Sequence, residues 1–171
     1  DSTIALGTTR PLSGDGLRAA ALDGSIETLM HWQPVKAGDI IYSAANTVHA
    51  IGAGLTVVEV QQNLDLTYRL YDYGRPRELH LDDGIAVSRA TPFAELPKAQ
   101  WKFDMIRHPL DGACQVTASD NAPIWCVPLG GEGEIDGAIF RAGECWLAQG
   151  STRLNGKADM LIASTGKLDI A

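Results

Sequence analysis

The tetrapeptide Lys36-Ala37-Gly38-Asp39 returns as Arg141-Ala142-Gly143-Glu144, an offset of 105 positions (141 − 36). Carried forward, the same offset sets Ile40-Ile41-Tyr42 on Cys145-Trp146-Leu147 and Leu55-Thr56-Val57 on Met160-Leu161-Ile162. Turn, strand, loop and strand recur without a gap, which makes the chain two related β units. Short strands joined by tight turns predict a mainly β protein, a pair of small antiparallel barrels or sandwiches. At that offset His49 falls on Leu154 and Glu59 on Ser164, so the second unit lacks the polar groups of the first.

Local signals fill in the rest. Residues 3–9 (TIALGTT) read as a strand stopped at Arg10-Pro11. Residues 16–32 have helical composition, and Asp23-Gly24 divides them into two short helices, the second opened by Ser25 with Glu27 close behind. Ile51-Gly52-Ala53-Gly54 is a turn, because glycine takes positive φ without strain. Residues 55–61 (LTVVEVQ) give the clearest strand in the sequence. A short helix is expected within residues 78–89, with Asp82 and Asp83 near its positive end. The stretch TPFAELPKAQ carries Pro92 and Pro97 and marks a boundary, giving a first unit over residues 1–90 and a second over 91–171.

At 45% apolar and 20% charged residues the chain can bury a core. Its 14 basic residues against 21 acidic ones give a net charge of -7, which leaves no electrostatic footprint for nucleic acid or an anionic membrane. Cys114, Cys126 and Cys145 are odd in number and wrongly spaced for a disulfide framework or a Cys-x-x-Cys site, so they read as reduced core thiols of a cytoplasmic protein. No window approaches the roughly 18 apolar residues of a membrane span, and signal-peptide features are lacking at the start. The first residue is Asp1, so a fragment or a processed product is expected.

A glycine-acid turn leading through a strand to a loop that ends in histidine resembles the second motif of the cupins. The string HAIGAGLTVVEVQQNLDLTYRLYDYGRPRELHLD is, more specifically, similar to the bacterial type I mannose-6-phosphate isomerases. The likeness runs from about Ile4 to Val87, is most specific between Val48 and Asp82, and weakens across the second unit. It implies two cupin-like antiparallel barrel or jelly-roll units, the first incomplete and the second degenerate, with a small helical insertion. It also implies a zinc ion, Zn(2+), bound by His49 together with a glutamine, a histidine and a glutamate upstream.

No Gln-x-His or His-x-His precedes Gly38, and His31 and Glu27 lie on the predicted helix, where a surface or packing role is expected. The other ligands are therefore missing from this sequence. Either it is the back part of a longer enzyme, or the metal has been given up, or another chain, in a homo-oligomer for instance, completes the barrel. Glu59 is either an edge-strand acid facing water or, as the resemblance implies, a carboxylate of the active cavity. Asp65 and Arg69, four apart, are either a structural ion pair or active-site groups, with Arg69 steadying an anionic intermediate or binding substrate. Arg75 and Arg77, with Tyr71 and Tyr73, are read as bracing the loop. Where the family has Pro-Ala-Gly this chain has Ala44-Ala45-Asn46, and asparagine tolerates the left-handed conformation that such a turn requires.

The resemblance implies interconversion of mannose 6-phosphate and fructose 6-phosphate through an enediolate, with Glu59 or Asp65 moving the proton. The alternative is an inactive or truncated homologue that binds sugar phosphates or serves as an interaction module.

Overall fold

The structure is a computed structural model that describes residues 2–64 and 66–171. It is mainly β, with antiparallel sheets and little helix. Two compact units divide the chain, Asp1–Leu96 and Pro97–Ala171, and the division falls within the proline-bearing TPFAELPKAQ stretch.

In the first unit β1 (Thr3–Thr8) is the central strand of a three-stranded sheet. It is followed by α1 (Gly14–Asp23) and α2 (Ile26–Leu29), and then by the flanking strands β2 (Met30–Pro34) and β3 (His49–Ile51). The Ser13 hydroxyl caps α1 by accepting from the Gly16 N–H at 3.1 Å, and Gly24, at φ +82°, ends it. Ser25, expected to cap the second helix, makes no side-chain cap bond. Leu17, Ala20 and Ala21 bury one face of α1 against Ala5, Met30 and Val48 of the sheet.

The helix expected to reach Trp32 stops at Leu29, and Met30, His31 and Trp32 are strand. Pairing decides this segment, because β1 aligns Thr8 with Met30 and Ala5 with Trp32, and that alternation sends Met30 and Trp32 into the core. A third helix, α3 (Leu81–Val87), lies within the span expected for it.

Residues 55–61 are not a strand. They have no ladder partner among the described residues, and Val57 and Val58 are each 48% exposed. A β pattern becomes a strand only where another backbone takes up its N–H and C=O groups. Residues 40–42 likewise lie outside any strand.

The repeated turn itself is present twice. In the first copy the Asp39 carboxylate accepts from the Lys36 N–H at 3.0 Å, the Asp39 N–H donates to the Lys36 carbonyl at 3.1 Å, and Gly38 sits at φ +95°. In the second, Glu144 accepts from the Arg141 N–H at 2.9 Å, its own N–H donates to the Arg141 carbonyl at 3.2 Å, and Gly143 sits at φ +86°.

The second unit is built on three long strands, β4 (Asp104–Ala118), β5 (Pro123–Ile135) and β8 (Ser151–Ser164). The short strands β6 (Ala138–Ile139), β7 (Trp146–Gln149) and β9 (Leu168–Ile170) complete a sheet ordered β6-β5-β8-β4-β9, with β7 also on β5. Alternate residues of the long strands, among them Leu110, Ile124, Cys126, Leu154 and Ile162, form its core. Cys126 is buried, and burial pushes its thiol up to about 12. All three cysteines are free, but Cys145 is exposed and so is not the core thiol expected. One register line across the three strands is all glycine, since Gly112 and Gly133 both pair with Gly156. Gly112 and Gly156 take φ of +100° and +143°, and a Cβ on Gly156 would lie 2.4 Å from the Glu132 carbonyl oxygen.

Candidate functional site

His49 lies on β3 opposite Leu6 of β1. Its neighbours Val48 and Ala50 pack toward the helices, so alternation turns the imidazole to the other sheet face, where it is exposed. Its Nδ1 lies 2.9 Å from the Thr47 carbonyl oxygen. A carbonyl only accepts, so Nδ1 carries the hydrogen and donates, leaving the Nε2 lone pair open. His31 and Gln33 reach the same open face of the sheet, because Met30 and Trp32 take the helical side. Sequence reasoning had placed His31 on a helix.

Glu59 does not share a strand face with Val57 and Gln61. It is exposed within the unpaired run, and among the described residues it makes no hydrogen bond or ion pair to His49 or Arg69. Asp65 lies outside the described residues.

Arg69 is half-buried and held on three sides. Its main-chain N–H donates to His80 Nδ1 at 3.0 Å, its carbonyl accepts from the His80 N–H at 2.8 Å, and its guanidinium NH1 donates to the Glu78 carbonyl at 3.1 Å. Helix α3 comes close to the Arg69 segment through Gly84, where a Cβ would stand 2.8 Å from Leu70 Cδ2 and 3.1 Å from Tyr68 Cβ. A side chain at position 84 would require Leu70 and Tyr68 to shift. Sequence reasoning missed His80, which fell inside the helix expected within residues 78–89, whereas the helix begins one residue after it, at Leu81.

Between Arg69 and His80 the chain is knotted around Asp72. This buried carboxylate accepts from Arg77 Nε and NH2, each at 2.5 Å, and from Arg75 NH2 at 2.9 Å. Arg75 also stacks over Tyr73, 5.8 Å from the ring centroid, and Tyr73 meets Tyr71 at 5.0 Å. The two arginines and two tyrosines thus brace the loop. Asn46, in the loop ahead of His49, takes φ +72°, the left-handed conformation expected of it.

The hydrogen bonds from Arg77 hold the Asp72 carboxyl below its usual range, with the charge of Arg75 adding to them against the opposing effect of burial. A carboxyl whose pKa is depressed on folding stabilises the fold above its unfolded value of about 3.9, and that contribution is lost as pH falls through the lower folded value. Amide exchange in residues 72–77 is therefore expected to accelerate as pH drops below about 4, and Asp72→Asn should remove that pH dependence. Equal acid sensitivity in the variant would show that other carboxyls control the loop.

No group of three or more His, Cys, Asp or Glu side chains that could hold a metal occurs among the described residues. His49 offers one open donor, and a zinc site takes three or more. The described residues do not by themselves form such a centre. No helix among them is long and apolar enough to cross a membrane.

No family model matches the chain. Mannose-6-phosphate isomerase of Streptococcus mutans is 42% identical over 81 residues, 44% of this chain and 26% of that protein. Mannose-6-phosphate isomerase ManA of Bacillus subtilis is 49% identical over 70 residues, 37% of this chain and 22% of that protein. The crystal structure of the mannose 6-phosphate isomerase from Bacillus subtilis superimposes with a TM-score of 0.78 at 24% identity, covering 95% of this chain and 60% of that one. The chain thus spans about a quarter of the length of the curated relatives it matches. The chain is similar in sequence, over that part, to proteins named mannose-6-phosphate isomerase, and over nearly all of its own length it shares the fold of one of them.

Proposed function

We propose that the chain carries part of the active site of a sugar-phosphate aldose-ketose isomerase that interconverts mannose 6-phosphate and fructose 6-phosphate. The observation that carries this reading is Arg69, a half-buried residue whose main chain is held by His80 and whose guanidinium donates to the Glu78 carbonyl, within a sequence similar to enzymes named for this reaction. Moving a proton from carbon 2 to carbon 1 of the open-chain sugar passes through an enediolate, whose negative charge is the chemical obstacle. A planar guanidinium fork aimed at those oxygens lowers it, and a charge fixed in advance needs no reorganisation as the reaction proceeds. Glu59 or Asp65 is the proposed proton carrier, which for the exposed Glu59 requires residues 55–61 to fold over the site.

His49 is proposed as one zinc donor through its open Nε2, the remaining donors coming from outside the described residues. Zinc supplies Lewis acidity at sugar oxygens when bound. His49→Ala is expected to lower bound zinc from about one per chain toward none, read by metal analysis, and stoichiometric zinc in the variant would remove His49 from the ligand set. The reading as a whole is tested by assaying the interconversion directly. A second reading, a sugar-phosphate binding module without turnover, draws support from the exposed position of Glu59. Saturable binding of mannose 6-phosphate with no interconversion would select it.

A further inference from the structure

Resting on the role of Arg69 just given, we propose that His80 is the positioning residue for Arg69, its unprotonated Nδ1 clamping the arginine main chain so that the guanidinium is preset. A main-chain N–H can only donate, so the 3.0 Å bond from Arg69 N–H to His80 Nδ1 requires a lone pair there, and the ring proton of the neutral imidazole sits on Nε2. The His80 N–H returns a bond to the Arg69 carbonyl at 2.8 Å. Both main-chain polar groups of Arg69 are thus satisfied by one residue eleven positions away.

His80 is itself fixed from three directions. Its carbonyl accepts the Gly84 N–H at 2.9 Å in the first turn of α3, its ring meets the Tyr68 ring edge-on at 6.1 Å, and Gly84 seats the helix against Leu70. A displacement at the start of α3 therefore passes to Arg69 through two hydrogen bonds, and the Glu78 carbonyl on the guanidinium moves with the same stretch of chain. Arg69 keeps its place only while that nitrogen remains an acceptor.

The test compares three variants. In His80→Asn the Oδ1 atom occupies nearly the place of Nδ1 and keeps the acceptor; in His80→Gln the polar atoms fall nearer the place of Nε2; in His80→Leu the acceptor is gone. Nitrogen NMR of the parent should show an unprotonated Nδ1 and a protonated Nε2 on His80. His80→Leu and His80→Gln should speed exchange of the Arg69 amide and lower kcat about tenfold to a hundredfold with KM little changed. His80→Asn should restore slow exchange and most of kcat.

A protonated Nδ1 in the parent, or Asn and Leu variants equally impaired, would overturn the clamp. Should the Leu variant fail to fold, the Asn and Gln pair still decides. If Arg69→Ala leaves turnover untouched, or the parent has none, the isomerase reading fails, while the tautomer and amide exchange still settle the clamp.

Discussion

Replacing Arg69 with alanine is expected to lower the rate of mannose 6-phosphate turnover by about 10²–10³, the usual effect of removing one preorganised donor from a developing oxyanion. The substitution is informative because it separates charge from scaffold. Alanine keeps the N–H and the carbonyl that bond to His80, and loses the NH1 contact to the Glu78 carbonyl and a minor charge interaction with Asp72. Stability should therefore change by no more than about 1 kcal/mol, the net worth of one partly exposed hydrogen bond. Steady-state kinetics beside urea unfolding will show whether kcat falls while the midpoint stays. Arg69→Lys keeps the charge without the planar fork and should fall between parent and alanine. Parental kcat in the alanine variant would remove Arg69 from the reaction.

A large effect on stability is expected at Gly156. Its Cβ in Gly156→Ala would meet the Glu132 carbonyl oxygen at 2.4 Å and Gly133 Cα at 2.5 Å, both of them backbone atoms that cannot swing aside. Positive φ adds strain of about 1–3 kcal/mol and forced repacking about another 1–3, so the loss should be about 2–6 kcal/mol. Against a typical total of about 5–15 kcal/mol that approaches unfolding. Gly112→Ala is the matched control, since φ is positive there too but nothing lies within 4 Å of the added carbon. It should show the backbone share alone, about 1–3 kcal/mol. Tryptophan fluorescence during urea unfolding can follow both, because Trp125 and Trp146 lie on β5 and β7 of the same sheet. Equal losses in the two variants would mean that close approach across the strands contributes nothing.

What the sequence disclosed was what a few adjacent residues decide among themselves. Gly24 broke the helices, Asn46 took the left-handed conformation, and both acid-closed turns formed, because each depends on the chemistry of about four residues. Residues 55–61 carried as strong a β pattern as any in the chain and are unpaired, since a pattern cannot supply its own partner. Met30, His31 and Trp32 had helical neighbours, yet the register of β1 took them into strand. The site follows the same division. Arg69 was singled out from its setting, whereas its hydrogen bond to His80 Nδ1 depends on a closure between residues eleven apart and on which ring nitrogen carries the proton. The glycine line through 112, 156 and 133 appears only once three strands are in register.

The acid-closed turns at Gly38 and Gly143 are alike although one leads into a ladder and the other does not. A reversal that completes its hydrogen bonds within four residues closes on the timescale of loop formation and costs little entropy, so both should flicker into place early in the collapsing chain. The two halves then begin from the same seed, and they diverge later, when residues 146–149 zip against β5 while residues 40–42 stay outside any strand.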